Sequence, residues 1–240
     1  MRGLGTIVNV LAVLVGGGIG LVVKNGLRQR FCDILNQACG VATIFIGASG
    51  ALQGMLHAGQ DGTIAAQGSM LVILSLVLGG LAGEALNIEL HIEGLGTRIR
   101  NMIHTREDSR FVDGFVTSTL IICVGAMAVV GAIQDGLTGD YSMLFAKALL
   151  DFIIVMVLAA SLGLGVLFSA IPLGIYQGGI TLLSVGIAKY MSDGMIADLS
   201  CIGSVLIFCV GINLTFGKKV KVGNLLPALL VPVLYHLLKF

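Results

Sequence analysis

Eight stretches of this chain are rich enough in apolar residues to be read as membrane crossings. They run over 4–23, 34–56, 68–86, 112–134, 143–170, 171–191, 198–216 and 224–239, the last being short. A crossing takes about 20 apolar residues. Lipid offers no partner to an open backbone, so each run must be helical. The expected fold is therefore all-α: a polytopic transmembrane helical bundle of about eight spans, with the lipid bilayer as its partner and residues 1–240 as one integral membrane domain. Only Ala170-Ile171-Pro172 separates the fifth and sixth runs, and proline there marks a sharp turn or break. The first run exceeds a signal peptide's apolar region and no cleavage site follows it, so it is read as a retained span.

Composition narrows the class. Charged residues are 11% of the chain, where a soluble domain carries about 25%. Thirty-five glycines accompany three prolines. The glycines sit inside the apolar runs, as in helices whose backbones approach closely. A net charge of +1 gives no reason to expect nucleic acid. Five cysteines without ligand spacing read as small buried residues.

Basic residues set the expected orientation. Lys24, Arg28 and Arg30 follow the first span, Arg98, Arg100, Arg106 and Arg110 the third, and Lys218, Lys219 and Lys221 the seventh. An eight-span path puts all three loops on one side, with ten of the fourteen Lys and Arg. That side is assigned to the cytoplasm and both termini to the outside. Residues 87–111 interleave Ile88, Leu90, Ile92, Leu95, Ile99, Met102 and Ile103 with charges, which fits an amphipathic connector on the inner leaflet.

Partial two-helix repeats are visible. Val10–Gly20 aligns with Ile73–Gly83, so that Gly16, Gly17 and Gly20 match Gly79, Gly80 and Gly83. Gly50-Ala-Leu-Gln-Gly54 resembles Gly131-Ala-Ile-Gln-Asp135. Spans one–two and three–four then read as parallel repeats, of the kind that build many transporters. The glycine clusters read as close helix contacts.

The candidate site starts from Lys147 and Asp151, two charges inside the fifth apolar run. Charges there are costly and mark function by default. Four apart on a helix, they share a face and can pair. Asp151 then lies roughly 12 Å below the outer surface at 1.5 Å per residue. Its reading as a binding or ion-coupling carboxylate stands level with that of a structural pair. Gln53, Gln134 and Asp135, at the outer ends of spans two and four, are placed to join them in an outer polar cluster; helix capping is the competing role for Asp135. Asn9 and Asn213 are lone amides in apolar helices, for which interhelical hydrogen bonding is the plainer role. Tyr176 and Gln177 follow Pro172, where a broken helix could offer backbone groups to a ligand. No phosphate loop, catalytic triad, zinc spacing or carboxylate dyad occurs, so neither an enzyme nor a cofactor or metal is expected.

Gly131-Ala-Ile-Gln-Asp-Gly-Leu-Thr-Gly-Asp140, Lys147-Ala-Leu-Leu-Asp-Phe152, Ser169-Ala-Ile-Pro-Leu-Gly-Ile-Tyr-Gln-Gly178 and Asn224-Leu-Leu-Pro-Ala-Leu-Leu230 resemble the YdfK/YqgA-like bacterial inner-membrane proteins, as does Gly5–Gly16. The resemblance spans nearly the whole chain. It implies a multi-pass protein of the bacterial cytoplasmic membrane, in a family of unknown function. Asn9, Gln134, Asp135, Lys147, Asp151 and Gln177 fall in the recurrent strings. The expected function is transport of a small polar solute, neutral or zwitterionic because the buried charges nearly balance. A non-transporting scaffold or a pore are the alternatives. Plentiful small residues make a homodimer plausible.

Overall fold

The computed structural model describes residues 2–26, 29–58, 64–102, 110–123, 126–188 and 191–238. Helices α1 (Leu4–Gly26), α2 (Gln29–Met55) and α3 (Ser69–Leu86) follow the first three apolar runs. A two-stranded antiparallel ribbon, β1 (Leu56–Ala58) with β2 (Ile64–Ala66), lies between α2 and α3, pairing Leu56 with Ala66. Asn87 ends α3 in the left-handed region at φ 50, and the connector forms α4 (Ile88–Met102). Residues 103–109, 60 and 62 lie outside the described residues. The fourth run is two helices, α5 (Phe111–Cys123) and α6 (Ala126–Thr138), bent by 59°. Helix α7 (Ser142–Leu162) ends at Gly163, whose φ of 89 suits only glycine. A 3-10 segment (Leu164–Ser169) turns the chain into α8 (Ala170–Ala188). Helix α9 (Asp193–Phe216) is capped by Ser192, which accepts from Met195 N at 3.2 Å. The last run breaks into α10 (Val222–Leu225), a 3-10 turn with Pro227, and α11 (Leu230–Leu238).

Among the described residues six helices are long and apolar enough to cross a membrane, or seven if α5–α6 counts as one bent span. The eighth expected run, 224–239, appears as the shorter apolar segment Val222–Leu238. The break between spans five and six falls at Gly163, earlier than the expected 170. Gly163 leaves the helical region there, while Pro172 sits in the first turn of α8, where a missing N–H costs nothing.

Glycine seams decide which helices meet. A Cβ on Gly16 or Gly20 would strike the carbonyls of Phe152 and Met156, so α1 lies backbone-to-backbone beside α7, running parallel to it. Gly40, Gly47 and Gly54 of α2 meet Thr215, Phe208 and Cys201 of α9, a seven-residue stagger repeated in antiparallel register. Gly79 and Gly83 of α3 face Ala228 and Asn224, also antiparallel. Without a hydrophobic drive between helices in lipid, such close approach is the main attraction. The matched glycines of α1 and α3 thus do the same local task. The likeness does not extend to their partners, which run parallel in one case and antiparallel in the other. The tightest contacts also sit beside the matched Gly17 and Gly80, whose closest neighbours are the ends of the Leu167 and Leu225 side chains.

The outward faces carry Val22, Phe45, Leu81 and Leu182, all exposed. Such a wide apolar exterior is what a bilayer covers. Buried packing runs through Val13, Leu120, Val155, Leu158, Leu173 and Leu206. Helix α4 inverts the soluble pattern: Glu89 is buried, while Leu90, Leu95 and Met102 face outward. That arrangement suits a helix lying against lipid.

Candidate functional site

Helix α7 buries one face: Leu144, Lys147, Ala148, Asp151, Val155 and Leu158. Phe145, Leu149, Leu150 and Ile153 point outward. The i, i+4 spacing therefore carries Lys147 and Asp151 inward together, and their side chains form an ion pair. Each residue is 5% exposed. Asp151 is nine residues into a helix of 21, or about 14 Å at the usual rise, so the pair sits mid-helix.

Two further helices complete the centre. Asn9, on the buried stripe of α1, donates through Nδ2 to Asp151 Oδ2 at 3.0 Å and to Gln177 Oε1 of α8 at 3.0 Å. Asn9 and Gln177 are both 0% exposed. Among the described residues, Asn9 Oδ1 and Gln177 Nε2 have no hydrogen-bond partner. One is an acceptor and the other a donor, and a buried polar atom left alone costs about 1–3 kcal/mol. Towards the N-terminal end of α1, Thr6 and Thr181 meet at 3.3 Å, and Thr181 Oγ1 donates to the Gln177 carbonyl at 3.0 Å. Cys123, closing α5, stands within electrostatic reach of Lys147, Asp151 and Tyr176.

The structure brings together four of the sequence-derived residues, Asn9, Lys147, Asp151 and Gln177, and sets the others elsewhere. Asp135 is fully buried but serves α1: its carboxylate accepts from Gly3 N and Gly5 N, both at 3.0 Å. That is helix capping by a distant side chain. Gln134 is half-buried on α6, and its described bond is a backbone one, its carbonyl accepting from Thr138 Oγ1 at 2.9 Å. Gln53 is exposed and outside the cluster, because its neighbour Gly54 is the residue pressed on α9. One residue is 100° of helix, so Gln53 faces away. Asn213 folds the following loop: Oδ1 accepts from Lys219 N at 2.8 Å and Val220 N at 2.9 Å, and Nδ2 donates to Val220 O at 2.7 Å. Tyr176 is partly exposed and lies near Cys123 rather than at the pair.

A second polar assembly, which no spacing in the sequence marks, stands at the end bearing the 217–221 loop. Lys218 pairs with Glu89 at 2.6 Å and with Glu93, Lys221 with Glu84 at 2.6 Å. Desolvation opposes the Lys218 charge, but its hydrogen bonds to Glu89 and Glu93 outweigh that and hold its pKa above the usual lysine value. The pairing therefore contributes in full below the ordinary lysine range and fades as pH rises through the raised value. Glu89 Oε2 also accepts from Gly223 N at 3.1 Å, while Asn224 takes Glu89 N at 2.7 Å and donates to Glu84 at 2.7 Å. Beside this assembly opens a cavity of about 340 Å³. Asp113, Val116, Thr117 and Leu120 of α5 form one of its walls. Cys123 follows Leu120 on that helical face, one turn beyond the cavity lining. Pairings between residues more than a hundred positions apart leave no spacing signal. At the other end His236 contacts Asp198 at 2.8 Å, a partner that local spacing around His236 does not reveal. Among the described residues no cluster of three His, Cys, Asp or Glu could hold a metal ion.

Comparison with known proteins agrees with the strings quoted above. The family model described as "Protein of unknown function (DUF554)" matches residues 4–237. The chain is 31% identical over 228 residues to the "Uncharacterized membrane protein YdfK" of Bacillus subtilis (strain 168), covering 95% of this chain and 93% of that protein. It is 30% identical over 232 residues to the "Uncharacterized protein YqgA" of Escherichia coli (strain K12), covering 95% and 94%. No solved structure matches. The chain belongs to the DUF554 family.

Proposed function

We propose that this DUF554 membrane protein is a transporter, not an enzyme, of a small polar solute that is neutral or zwitterionic. One observation carries the reading. The buried Lys147–Asp151–Asn9–Gln177 centre, drawn from three helices, still has one acceptor and one donor without partners among the described residues. Unsatisfied polar groups at mid-helix depth fit a solute site better than a packing device. Lys147 and Asp151 together add no net charge, which disfavours a strongly charged cargo.

The proposal places the protein in the bacterial cytoplasmic membrane. The loops 24–33, 87–111 and 217–223 face the cytoplasm and both termini face outward, from the distribution of Lys and Arg. The cavity then opens inward. A homodimer belongs to the proposal alone, since the glycines at Gly16, Gly20, Gly47, Gly79 and Gly83 close seams within one chain.

A non-transporting scaffold is favoured by one observation, the near-complete closure of the Lys147–Asp151 pair. Purified protein in proteoliposomes separates the two readings. A panel of amino acids, amides and polyols is offered to the wild type and to Asp151→Asn. The transporter reading expects at least one solute to enter with the wild type and not with the variant. Equal entry for both proteins across the panel contradicts it.

A further inference from the structure

We propose that Asp151 is a proton-binding site whose protonation reverses the Asn9 and Gln177 amides, inverting the hydrogen-bonding sense of the two atoms they leave unpaired. With Asp151 ionised, Asn9 Nδ2 donates to both Asp151 Oδ2 and Gln177 Oε1. Asn9 Oδ1 and Gln177 Nε2 are then the unpaired atoms. Suppose a proton arrives on Asp151 Oδ2. That oxygen now bears a donor aimed at a donor, and the old arrangement fails.

A rotation of both amides about their terminal torsions restores it. Asp151 O–H then donates to Asn9 Oδ1, and Gln177 Nε2 donates to the same oxygen. A carbonyl-type oxygen accepts both, having two lone pairs. No bond breaks except the one to the incoming proton's carrier, and no heavy-atom backbone shift is required. The unpaired atoms become Asn9 Nδ2 and Gln177 Oε1. Where an acceptor stood there is a donor, and where a donor stood there is an acceptor. A solute group that satisfies one state mismatches the other. A mismatch leaves a polar group buried and unpaired, the strongest form of discrimination such a site has. Proton binding and solute binding are thereby coupled in both directions.

Among the described residues, the charged and titratable groups facing Asp151 are few. Lys147 comes from its own helix, Cys123 from α5, and Tyr176 stands beyond Cys123. Asp135 of α6 is held by the amides of Gly3 and Gly5. Lys147 shares Oδ2 with Asn9. Protonation of that oxygen loosens the ion pair and leaves the lysine ammonium without its counter-charge.

The biological use of this switch rests on the transport reading, but its test does not. Infrared difference spectra of the lipid-reconstituted protein are taken while the pH is lowered, with no solute present. The expected result is an aspartic-acid carbonyl band that rises together with a shift in Asn and Gln side-chain amide bands, at one midpoint. Both signals should vanish in Asp151→Asn. If that variant does not fold, Gln177→Met serves: it keeps Asp151, so the aspartic-acid band must persist while the coincident amide shift is lost or reduced. An aspartic-acid band without any amide change, or no such band in the wild type, overturns the proposal. A switch observed in a protein that carries no solute overturns the transport reading and leaves the switch standing.

Discussion

Asp151 and Asp135 are both buried carboxylates in an apolar chain, and the structure gives them different work. Asp135 holds the first amides of α1, so its loss strands Gly3 and Gly5 N–H groups. Asp135→Ala is expected to cost about 2 kcal/mol, read as a lower thermal midpoint in detergent. An unchanged midpoint removes the capping role. Asp151→Asn leaves Lys147 without its counter-charge in a buried site. A penalty of roughly 3–5 kcal/mol is expected for breaking such a pair, against much less for Lys147→Met with Asp151→Leu together. The transport reading further requires that the stable double variant carry no solute. A double variant that keeps full activity makes the pair purely structural. The spacing of Lys147 and Asp151 was legible because one helix holds both. Their meeting with Asn9 and Gln177 was not, because three separate helices contribute and no spacing rule links them.

At the scale of elements, the apolar runs announced the helices, and the glycines announced close contact without naming the partner. Gly16 and Gly20 lie on one face, four apart, against the α7 backbone; Gly79 and Gly83 do the same against Asn224 and Ala228. A side chain at Gly83 would overlap the Asn224 carbonyl, and lipid supplies no hydrophobic drive to re-pack the gap. Gly16→Leu and Gly83→Leu are therefore expected to abolish folded protein in a size-exclusion assay, while Gly18→Leu, which faces open space, leaves the elution profile intact. Gly17→Leu and Gly80→Leu should fall between, since only side-chain ends must move. A Gly83→Leu protein as well folded as the wild type would contradict the seam. The heptad Gly40, Gly47, Gly54 was equally readable in principle, because a seven-residue repeat marks a helix seam. Its partner α9 carries no matching glycine run and so stayed hidden. The bend between α5 and α6 had no proline to announce it.

For the whole molecule, the distribution of basic residues and the packing senses agree. Helices α1 and α7 run parallel, and α2 and α9 antiparallel, as an alternating path through the membrane requires. An impermeant thiol reagent should label Asp140→Cys, but not Lys219→Cys, in intact cells. Labelling of Lys219→Cys from outside would invert the orientation. What the sequence left open was the depth of polar access, because a cavity is a property of packing and not of any one helix. Access from the cavity to the buried centre is the central claim of the transport proposal, and Cys123 reports it without any new side chain at the site. With the other cysteines replaced by alanine, its modification by a small impermeant reagent is measured in inside-out and right-side-out vesicles. Reaction from the face carrying the 217–221 loop is expected, abolished by a bulky Thr117→Trp substitution in the cavity wall. A Cys123 inert from both faces would mean a dry, closed centre and would contradict the account.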